Sequence, residues 1–219
     1  TSYLDDVVTT NYTVSGTASP TLSPDNTSNT VDNPIDITFT DDSTWRAAVT
    51  AVKIGTITLT SGTDYDLTDA NLQLKPSGLN TLLTTSGSKS VIIEATGYTD
   101  ATVTQIINAG VPTANSTAAI SAALAPNTTR TITCTAKDQF NNLVSGYTFS
   151  YDVTITNNTS TTAESYTIDG SSFTATSTSG NPVVATTNAS GVATFDAVLP
   201  ATIDSSDGIS IQVQLNNDT

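Results

Sequence analysis

The chain has 219 residues, of which 20 are acidic and 6 basic, and it contains no His, no Met, one Cys and one Trp. Without His there is no Ser-His-Asp or Cys-His nucleophile, and one Cys cannot build a thiolate zinc site, an iron–sulfur cluster or an internal disulfide. The formal charge of -14 argues against nucleic acid or an anionic membrane as a partner. We therefore expect a structural or binding protein and not an enzyme.

The first half of the chain reads as short strands separated by turns. The segment Ile35-Asp36-Ile37-Thr38-Phe39 alternates apolar and polar residues at period 2, which is typical of a half-buried strand. Turn-forming Gly, Ser and Asp residues separate the further candidate strands, which lie at residues 12–14, at 54, and at 57–59, 72–74, 91–93 and 103–107. The bulk of the polar residues are Thr, whose β-branched side chain suits a pleated surface.

One short helix interrupts the strands of the first half. Asp41 and Asp42 are acidic residues of the kind that cap a helix N-terminus. Trp45, Ala48, Val49 and Val52 then recur at helical spacing. This pattern predicts a short helix near residues 42–52, with Trp45 closing one end of a sandwich. A second short turn is expected at residues 79–83.

The pattern lapses into small and turn residues over 109–117, which we interpret as a connector. Beyond it, residues 131–136, 149–155 and 209–215 alternate in the same way as the earlier strands. Short strands between turn signals predict an antiparallel sandwich. The sequence thus predicts two all-β sandwich domains, residues 1–110 and 111–219. Cys134 shares a strand face with Ile132 and Ala136 and is expected to be an inert core residue.

Acidic clusters are the one feature that suggests a ligand. Asp64, Asp66 and Asp69 place three carboxylates within six residues, and Ca²⁺ prefers six to eight oxygen ligands supplied partly by such loops. The loop lacks the Gly and the distal Glu of an EF-hand, so a solvated hairpin is the alternative interpretation. Further acidic loops lie at residues 5–6, 41–42, 100, 204 and 207, of which 41–42 is more simply a helix cap. Paired carboxylates of a glycosidase would need an aromatic cleft, and aromatic residues are only 6% of the chain.

Part of the first half resembles a known bacterial surface module. The segments that carry the resemblance are Asp36-Ile37-Thr38-Phe39, Trp45-Arg46-Ala47-Ala48-Val49, Thr63-Asp64-Tyr65 and Ile93-Glu94-Ala95-Thr96-Gly97-Tyr98-Thr99-Asp100-Ala101. Over about residues 31–108 these segments resemble the haemoglobin-interacting domain of Gram-positive surface proteins. The module recurs in bacteria that never meet blood, so haemoglobin binding does not follow from the resemblance.

The second half resembles a bacterial immunoglobulin-like domain of the invasin type. The resemblance lies in residues 135–146 and in Thr187-Asn188-Ala189-Ser190-Gly191-Val192-Ala193-Thr194-Phe195. It implies that Asp138 and Asn142 brace a tight turn and are not ligands, and that a Gly ends a later hairpin. Asn141 stands where that family usually has Gly.

Tandem modules of both kinds, rich in Thr and poor in Cys, Met and His, are similar to surface-layer (S-layer) proteins of bacilli. This resemblance implies an extracellular, cell-wall-associated structural segment that assembles with neighbouring copies in a two-dimensional lattice. It also implies calcium as a cofactor, since many S-layer proteins need calcium to assemble. It implies two tandem immunoglobulin-like sandwiches, the first with a short helix. We expect no insertion into a membrane, and the abrupt start at Thr1 suggests a segment of a longer chain.

The alternative function is an adhesion or ligand-binding module for a host protein or a carbohydrate. It predicts an exposed aromatic patch, for which the candidate residues are Tyr65, Tyr98, Tyr147, Tyr151 and Tyr166. Tyr151 alternates with Phe149 and Val153 and is expected in the core instead. The sequence leaves open which faces make lattice contacts, whether calcium is bound and whether any ligand is recognised.

Overall fold

The computed structural model describes residues 16–122, 125–156, 165–174, 183–201 and 208–215. The chain divides into two compact units, Thr1–Asn108 (unit 1) and Ala109–Thr219 (unit 2). Both units are built from antiparallel sheets, and the two α-helices of the described residues are short. The predicted strand at residues 12–14 and the acidic residues at 5–6, 204 and 207 lie outside the described residues.

Unit 1 contains two four-stranded sheets among its described residues, with the orders β1-β2-β6-β5 and β4-β3-β7-β8. Apolar residues at alternate positions of the strands, such as Ile35, Ile37 and Phe39 of β2, are buried between these elements. The elements of unit 1 are β1 (Leu22–Ser23), β2 (Ile35–Phe39), α1 (Ser43–Ala47), β3 (Val49–Ile54), β4 (Ile57–Thr58), β5 (Tyr65–Thr68), β6 (Asn71–Leu74), a 3-10 turn (Pro76–Gly78), α2 (Thr81–Thr84), β7 (Gly87–Ala95) and β8 (Ala101–Ile107).

The helix predicted near residues 42–52 is shorter than expected. It spans Ser43–Ala47, and Asp42 caps it by accepting hydrogen bonds from the backbone N–H groups of Thr44 and Trp45. From Val49 onward the chain is strand β3, because the apolar side chains at residues 52 and 54 face the core at period 2. Trp45 is fully buried and its ring meets Phe39 edge to face, with a centroid distance of 5.2 Å.

Unit 2 has a five-stranded sheet of order β13-β12-β15-β10-β9 and a three-stranded sheet of order β14-β11-β16, counted over the described residues. Its core holds Ile132, Phe149, Tyr166 and Phe195 together with Cys134, which is buried as predicted. The strands are β9 (Thr117–Ile120), β10 (Thr129–Thr135), β11 (Thr148–Thr156), β12 (Ser165–Ile168), β13 (Ser171–Thr174), β14 (Val183–Thr186), β15 (Val192–Val198) and β16 (Gly208–Leu215).

The segment interpreted as a connector is held by hydrogen bonds in unit 2. The N–H of Gly110 donates to Asp138, and the N–H of Thr113 donates to the carbonyl of Lys137. The hydroxyl of Ser116 donates to that same carbonyl. The small and turn residues of this segment indicate irregular backbone, and the structure orders that backbone through the Asp138 carboxylate and the backbone carbonyl of Lys137.

Candidate functional site

Asp64 of the predicted calcium loop lies inside unit 1 and braces a turn. Its side chain is only 6% exposed, and its Oδ2 accepts the N–H of Thr60 at 2.8 Å. Its backbone carbonyl accepts the N–H of Lys75 at 2.8 Å. The carboxylate therefore closes the turn that precedes β5.

Asp66 and Asp69 are engaged by two different cations. The Lys75 ammonium forms an ion pair with Asp66. Arg46 bridges Asp69, with 2.7 Å between Nη2 and Oδ1, and Asp41, with 3.0 Å between Nε and Oδ1. The hydrogen bond from Arg46 lowers the pKa of the Asp41 carboxyl, and the same contact raises the pKa of Arg46.

The structure therefore does not bring Asp64, Asp66 and Asp69 together as one ligand set. Asp64 lies in the turn before β5, Asp66 within β5, and Asp69 in the turn after it, so the strand carries the three carboxylates apart. Among the residues described, no group of three or more His, Cys, Asp or Glu side chains could hold a metal ion. Calcium binding at these residues stays a prediction.

An open polar depression of about 560 Å³ lies beside the N-terminus of α1. Its two carboxylates already have structural partners, since Asp41 pairs with Arg46 and Asp42 caps the helix. As predicted, this acidic pair lies at the start of the helix, where Asp42 is the N-cap residue. The depression is lined by Ala18, Ser19, Pro20, Thr40, Asp41, Asp42 and Ser43.

Among the carboxylates that the structure describes in unit 2, Asp138 accepts the largest number of hydrogen bonds. It is 0% exposed and accepts four hydrogen bonds of 2.8 to 2.9 Å, from the backbone N–H groups of Gly110, Phe140 and Asn142 and from the Asn142 side-chain amide. This arrangement fits the turn-bracing role that the resemblance implied for Asp138 and Asn142. Asn141 has a φ of +66°, the left-handed conformation for which Gly is usual and Asn is tolerated.

The link from Asp138 to Gly110 was missed by the sequence reasoning. The loop spacing Asp138 to Asn142 signals a turn, but residue 110 is 28 positions away from Asp138. The sequence carries no signal for this pairing, because only the tertiary structure brings the N–H of Gly110 to the buried carboxylate of Asp138.

A comparable carboxylate in unit 1 is Asp25. Burial opposes its ionisation, but hydrogen bonds from the N–H groups of Thr27, Ser28 and Asp36 and from the Thr27 hydroxyl outweigh that effect and lower the pKa of Asp25. The Asp25 backbone is held in turn by Gln105, a fully buried amide whose Nε2 donates to the Asp25 carbonyl at 2.8 Å. These contacts fasten the segment before β2 to strand β8.

The tyrosines predicted for an exposed binding patch are mostly inside the protein. Tyr65 is 8% exposed and Tyr166 is 0% exposed, while Tyr98 and Tyr147 are half-buried. The side chain of Tyr151 lies outside what the structure describes. The described tyrosines thus contribute more to packing than to a surface.

One family model matches the chain. Residues 22–108 match the family described as heme-binding protein Shr-like, Hb-interacting domain. The matched range begins at β1 and ends one residue after β8, so it coincides with the strands of unit 1. A comparison with curated protein sequences finds no match.

Solved structures resemble the chain at the level of fold. FdeC, an Escherichia coli adhesin, has a TM-score of 0.53 and 15% identity, and the alignment covers 90% of this chain and 58% of that one. Invasin, a bacterial integrin-binding protein, has a TM-score of 0.51 and 18% identity, with coverage of 92% and 38%. Domains 4 and 5 of the S-layer protein SbsC have a TM-score of 0.33 and 13% identity, with coverage of 91% and 94%. This TM-score is too low to show a shared fold.

The chain spans less than two thirds of the length of FdeC and of invasin. The likeness to these two proteins shows the fold class that the sequence predicted, tandem immunoglobulin-like antiparallel sandwiches. Among the described residues, no helix has both the length and the apolar character that are needed to cross a membrane. In residues 22–108 the chain is thus similar to the Hb-interacting domain of Shr-like heme-binding proteins, and in its fold it is similar to FdeC and to invasin.

Proposed function

We propose that the chain is a non-enzymatic structural segment of a bacterial cell-surface protein and that it contacts neighbouring copies in a lattice of the S-layer kind. The observation that carries the proposal is the use of the charged side chains. Arg46, Lys53 and Lys75 each pair with a carboxylate, and the buried Asp64 and Asp138 brace turns. Charges used in this way hold strands and turns in fixed positions, which suits a rigid structural segment.

The similarity to surface proteins supports an extracellular location for this segment. The matched family is named for a domain of a heme-binding protein, and the two structures of similar fold are an adhesin and an integrin-binding protein. A low content of oxidisable residues, with one buried Cys and no Met, suits the same environment.

Sedimentation velocity over a concentration series tests the proposal, once in EDTA and once in millimolar calcium. A charge of -14 makes copies repel, so we expect reversible association that increases when a divalent cation is present. A matched run with the same ionic strength of sodium chloride separates specific calcium binding from screening. A chain that stays monomeric under all three conditions would contradict the lattice role.

The alternative is a ligand-binding module, and the match of residues 22–108 to a haemoglobin-interacting domain favours it specifically. Isothermal titration of the chain with haemoglobin tests this function, with serum albumin as the control protein. Saturable binding to haemoglobin alone would favour the ligand-binding module over the structural segment. An absence of heat at two temperatures, since the enthalpy of binding changes with temperature, would reject haemoglobin as its ligand.

A further inference from the structure

The segment that precedes β2 runs beside β8 in the same direction. Parallel bridges join it to residues just before and just after β8, and hydrogen bonds join the two segments in between. Residue numbers rise together along both segments, as they must when two neighbouring segments are parallel. We call residues 17–31 the lead segment. Its pairings are, in chain order, Thr17 with Tyr98, Ser19 with Thr99, Asp25 with Gln105, Asn29 with Ile106 and Thr30 with Asn108.

Backbone hydrogen bonds fasten the lead segment at both of its ends. At the first end Thr17 donates its N–H to the carbonyl of Gly97 and accepts the N–H of Thr99, each at 2.9 Å. At the far end Asn108 donates its N–H to the carbonyl of Asn29 at 2.7 Å. The lead segment is thus bonded at both ends of the same strand.

Buried side chains reinforce the lead segment. Asn29 is 7% exposed, its Nδ2 donates to the carbonyl of Ile106 at 2.9 Å, and its Oδ1 accepts the side-chain N–H of Asn108 at 3.1 Å. Val31 is buried, and its N–H donates to the carbonyl of Asn108 at 3.0 Å. Leu22 is a second buried apolar residue of the lead segment. Pulling the lead segment away from β8 would therefore break hydrogen bonds and expose apolar surface together.

The parallel arrangement decides how unit 1 meets a pulling force. Tension along the chain enters unit 1 before residue 17 and leaves it after residue 108, so it pulls the lead segment and β8 in opposite directions along their common axis. The hydrogen bonds between them then carry the load together, whereas antiparallel segments with both chain ends at one side would separate bond by bond. We propose that the lead segment and β8 form a clamp that makes unit 1 resist tension. This role rests on the proposed function, because a structural segment of a cell-surface protein carries tension between its ends.

The first test compares two pulling directions in single-molecule force spectroscopy at constant force. A handle at the N-terminus is combined with a second handle at Val111→Cys, which loads unit 1 along the clamp, or at Thr96→Cys, which lies beside the residues that bond Thr17 and peels the clamp from that end. Residues 96 and 111 are exposed, whereas Cys134 is 0% exposed, so thiol handles attach at the introduced residue. We expect unfolding to be roughly tenfold slower along the clamp, since forced unfolding reports the unfolding rate.

The second test compares Asn29→Ala with Asp42→Ala in the handle geometry that loads the clamp. Each substitution removes two hydrogen bonds, those of Asn29 within the clamp and those of the Asp42 cap outside it. We expect Asn29→Ala to raise the unfolding rate at constant force roughly tenfold and Asp42→Ala to leave it within about twofold, because the cap is still intact when the clamp breaks. Urea unfolding followed by Trp45 fluorescence measures the equilibrium cost of both variants.

The outcomes separate the clamp from the lattice role. Equal unfolding rates in the two directions, or equal effects of the two substitutions, overturn the clamp and leave the lattice role to the sedimentation experiment. A chain that stays monomeric but unfolds slowly along the clamp overturns the lattice role alone. If Asn29→Ala fails to fold, the comparison of pulling directions decides, since it keeps Asn29.

Discussion

At the scale of single residues, the carboxylates of this protein act mainly as acceptors that order loops. Asp25, Asp64 and Asp138 each accept backbone N–H groups, and two of the three are buried. A buried backbone donor without an acceptor is costly, so a single carboxylate can hold several irregular segments in place. The acidic composition therefore carries structural information that a search for catalytic or metal-binding acids overlooks.

Replacing Asp138 by Ala should destabilise unit 2 by about 3 kcal/mol, because four donors then lose their acceptor inside the protein. Asp196→Ala is the control, since Asp196 is exposed, and it should cost less than about 1 kcal/mol. Urea unfolding followed by circular dichroism measures both units, and fluorescence of Trp45 measures unit 1 alone. We expect Asp138→Ala to lower the urea midpoint seen by circular dichroism and to leave the midpoint seen by Trp45 fluorescence unchanged. An unchanged circular dichroism midpoint would contradict the role of Asp138.

The lowered pKa of Asp25 makes part of the stability of unit 1 depend on pH. A carboxyl whose pKa is lower in the folded state stabilises the fold above its ordinary pKa of about 3.9, and this contribution is lost as the pH falls through the folded value. Asp25→Asn keeps an acceptor but removes the charge. The difference in unfolding free energy between wild type and Asp25→Asn should thus be largest near pH 6 and shrink below about pH 4.

Trp45 fluorescence in urea at a series of pH values measures this difference. Asp100→Asn, which changes an exposed carboxylate of the same unit, should differ from the wild type by less than about 0.5 kcal/mol. A difference for Asp25→Asn that is equally large at pH 3 and pH 6 would show that charge is not the cause.

At the scale of elements, the strands were predictable and the ends of the helix were not. Ile35–Phe39 shows period 2 clearly because one face of β2 is buried and the other is exposed. In contrast, helical spacing continues past the end of the helix, at Trp45, Ala48, Val49 and Val52. The helix ends at Ala47 and strand β3 begins at Val49, so the apolar residues of both elements together produce a spacing that resembles one longer helix. Local spacing cannot locate that change, since pairing of β3 with β7, 40 or so residues later, decides it.

The loop that carries Asp64 depends on a close approach that only Gly allows. A Cβ at Gly78 would lie 2.5 Å from the carbonyl oxygen of Thr63, which is backbone and cannot move freely. Gly78→Ala should therefore cost about 2 kcal/mol or more. Gly55→Ala is the matched control, since Gly55 has a φ of +58° and open space around it, so it should cost only about 1 kcal/mol. Urea unfolding followed by Trp45 fluorescence compares the two, and a smaller cost at Gly78 than at Gly55 would contradict the close packing.

At the scale of the whole molecule, the sequence predicted the fold class because composition, alternation and turn residues all agree on antiparallel sandwiches. The candidate site was less predictable. Proximity of Asp64, Asp66 and Asp69 along the chain suggested one ligand set, but Lys75 and Arg46, which take Asp66 and Asp69, come from other elements. A pairing across elements is fixed by tertiary structure, and a single sequence contains little signal for it.

The ion pairs of Asp66 and Asp69 should make calcium binding weak. Ca²⁺ at Asp64, Asp66 and Asp69 would have to displace Lys75 and Arg46 from two of these carboxylates. We therefore expect weak binding with a dissociation constant of about 1 mM, which lies in the range of extracellular calcium modules. Calcium at 10 mM should then raise the stability of unit 1 by about 1.4 kcal/mol. Magnesium at 10 mM, which dehydrates reluctantly, should raise it less.

Urea unfolding monitored by Trp45 fluorescence measures the effect of each ion, with the double variant Asp66→Asn/Asp69→Asn as the test of the site. The variant loses two exposed ion pairs, which are worth about 0–1 kcal/mol each, so it should fold in the absence of calcium. We expect calcium to stabilise the wild type and not the variant. Equal stabilisation of both would place the ion elsewhere, and no stabilisation of either would mean that any calcium-dependent association arises from neutralising the charge of -14 at the surface.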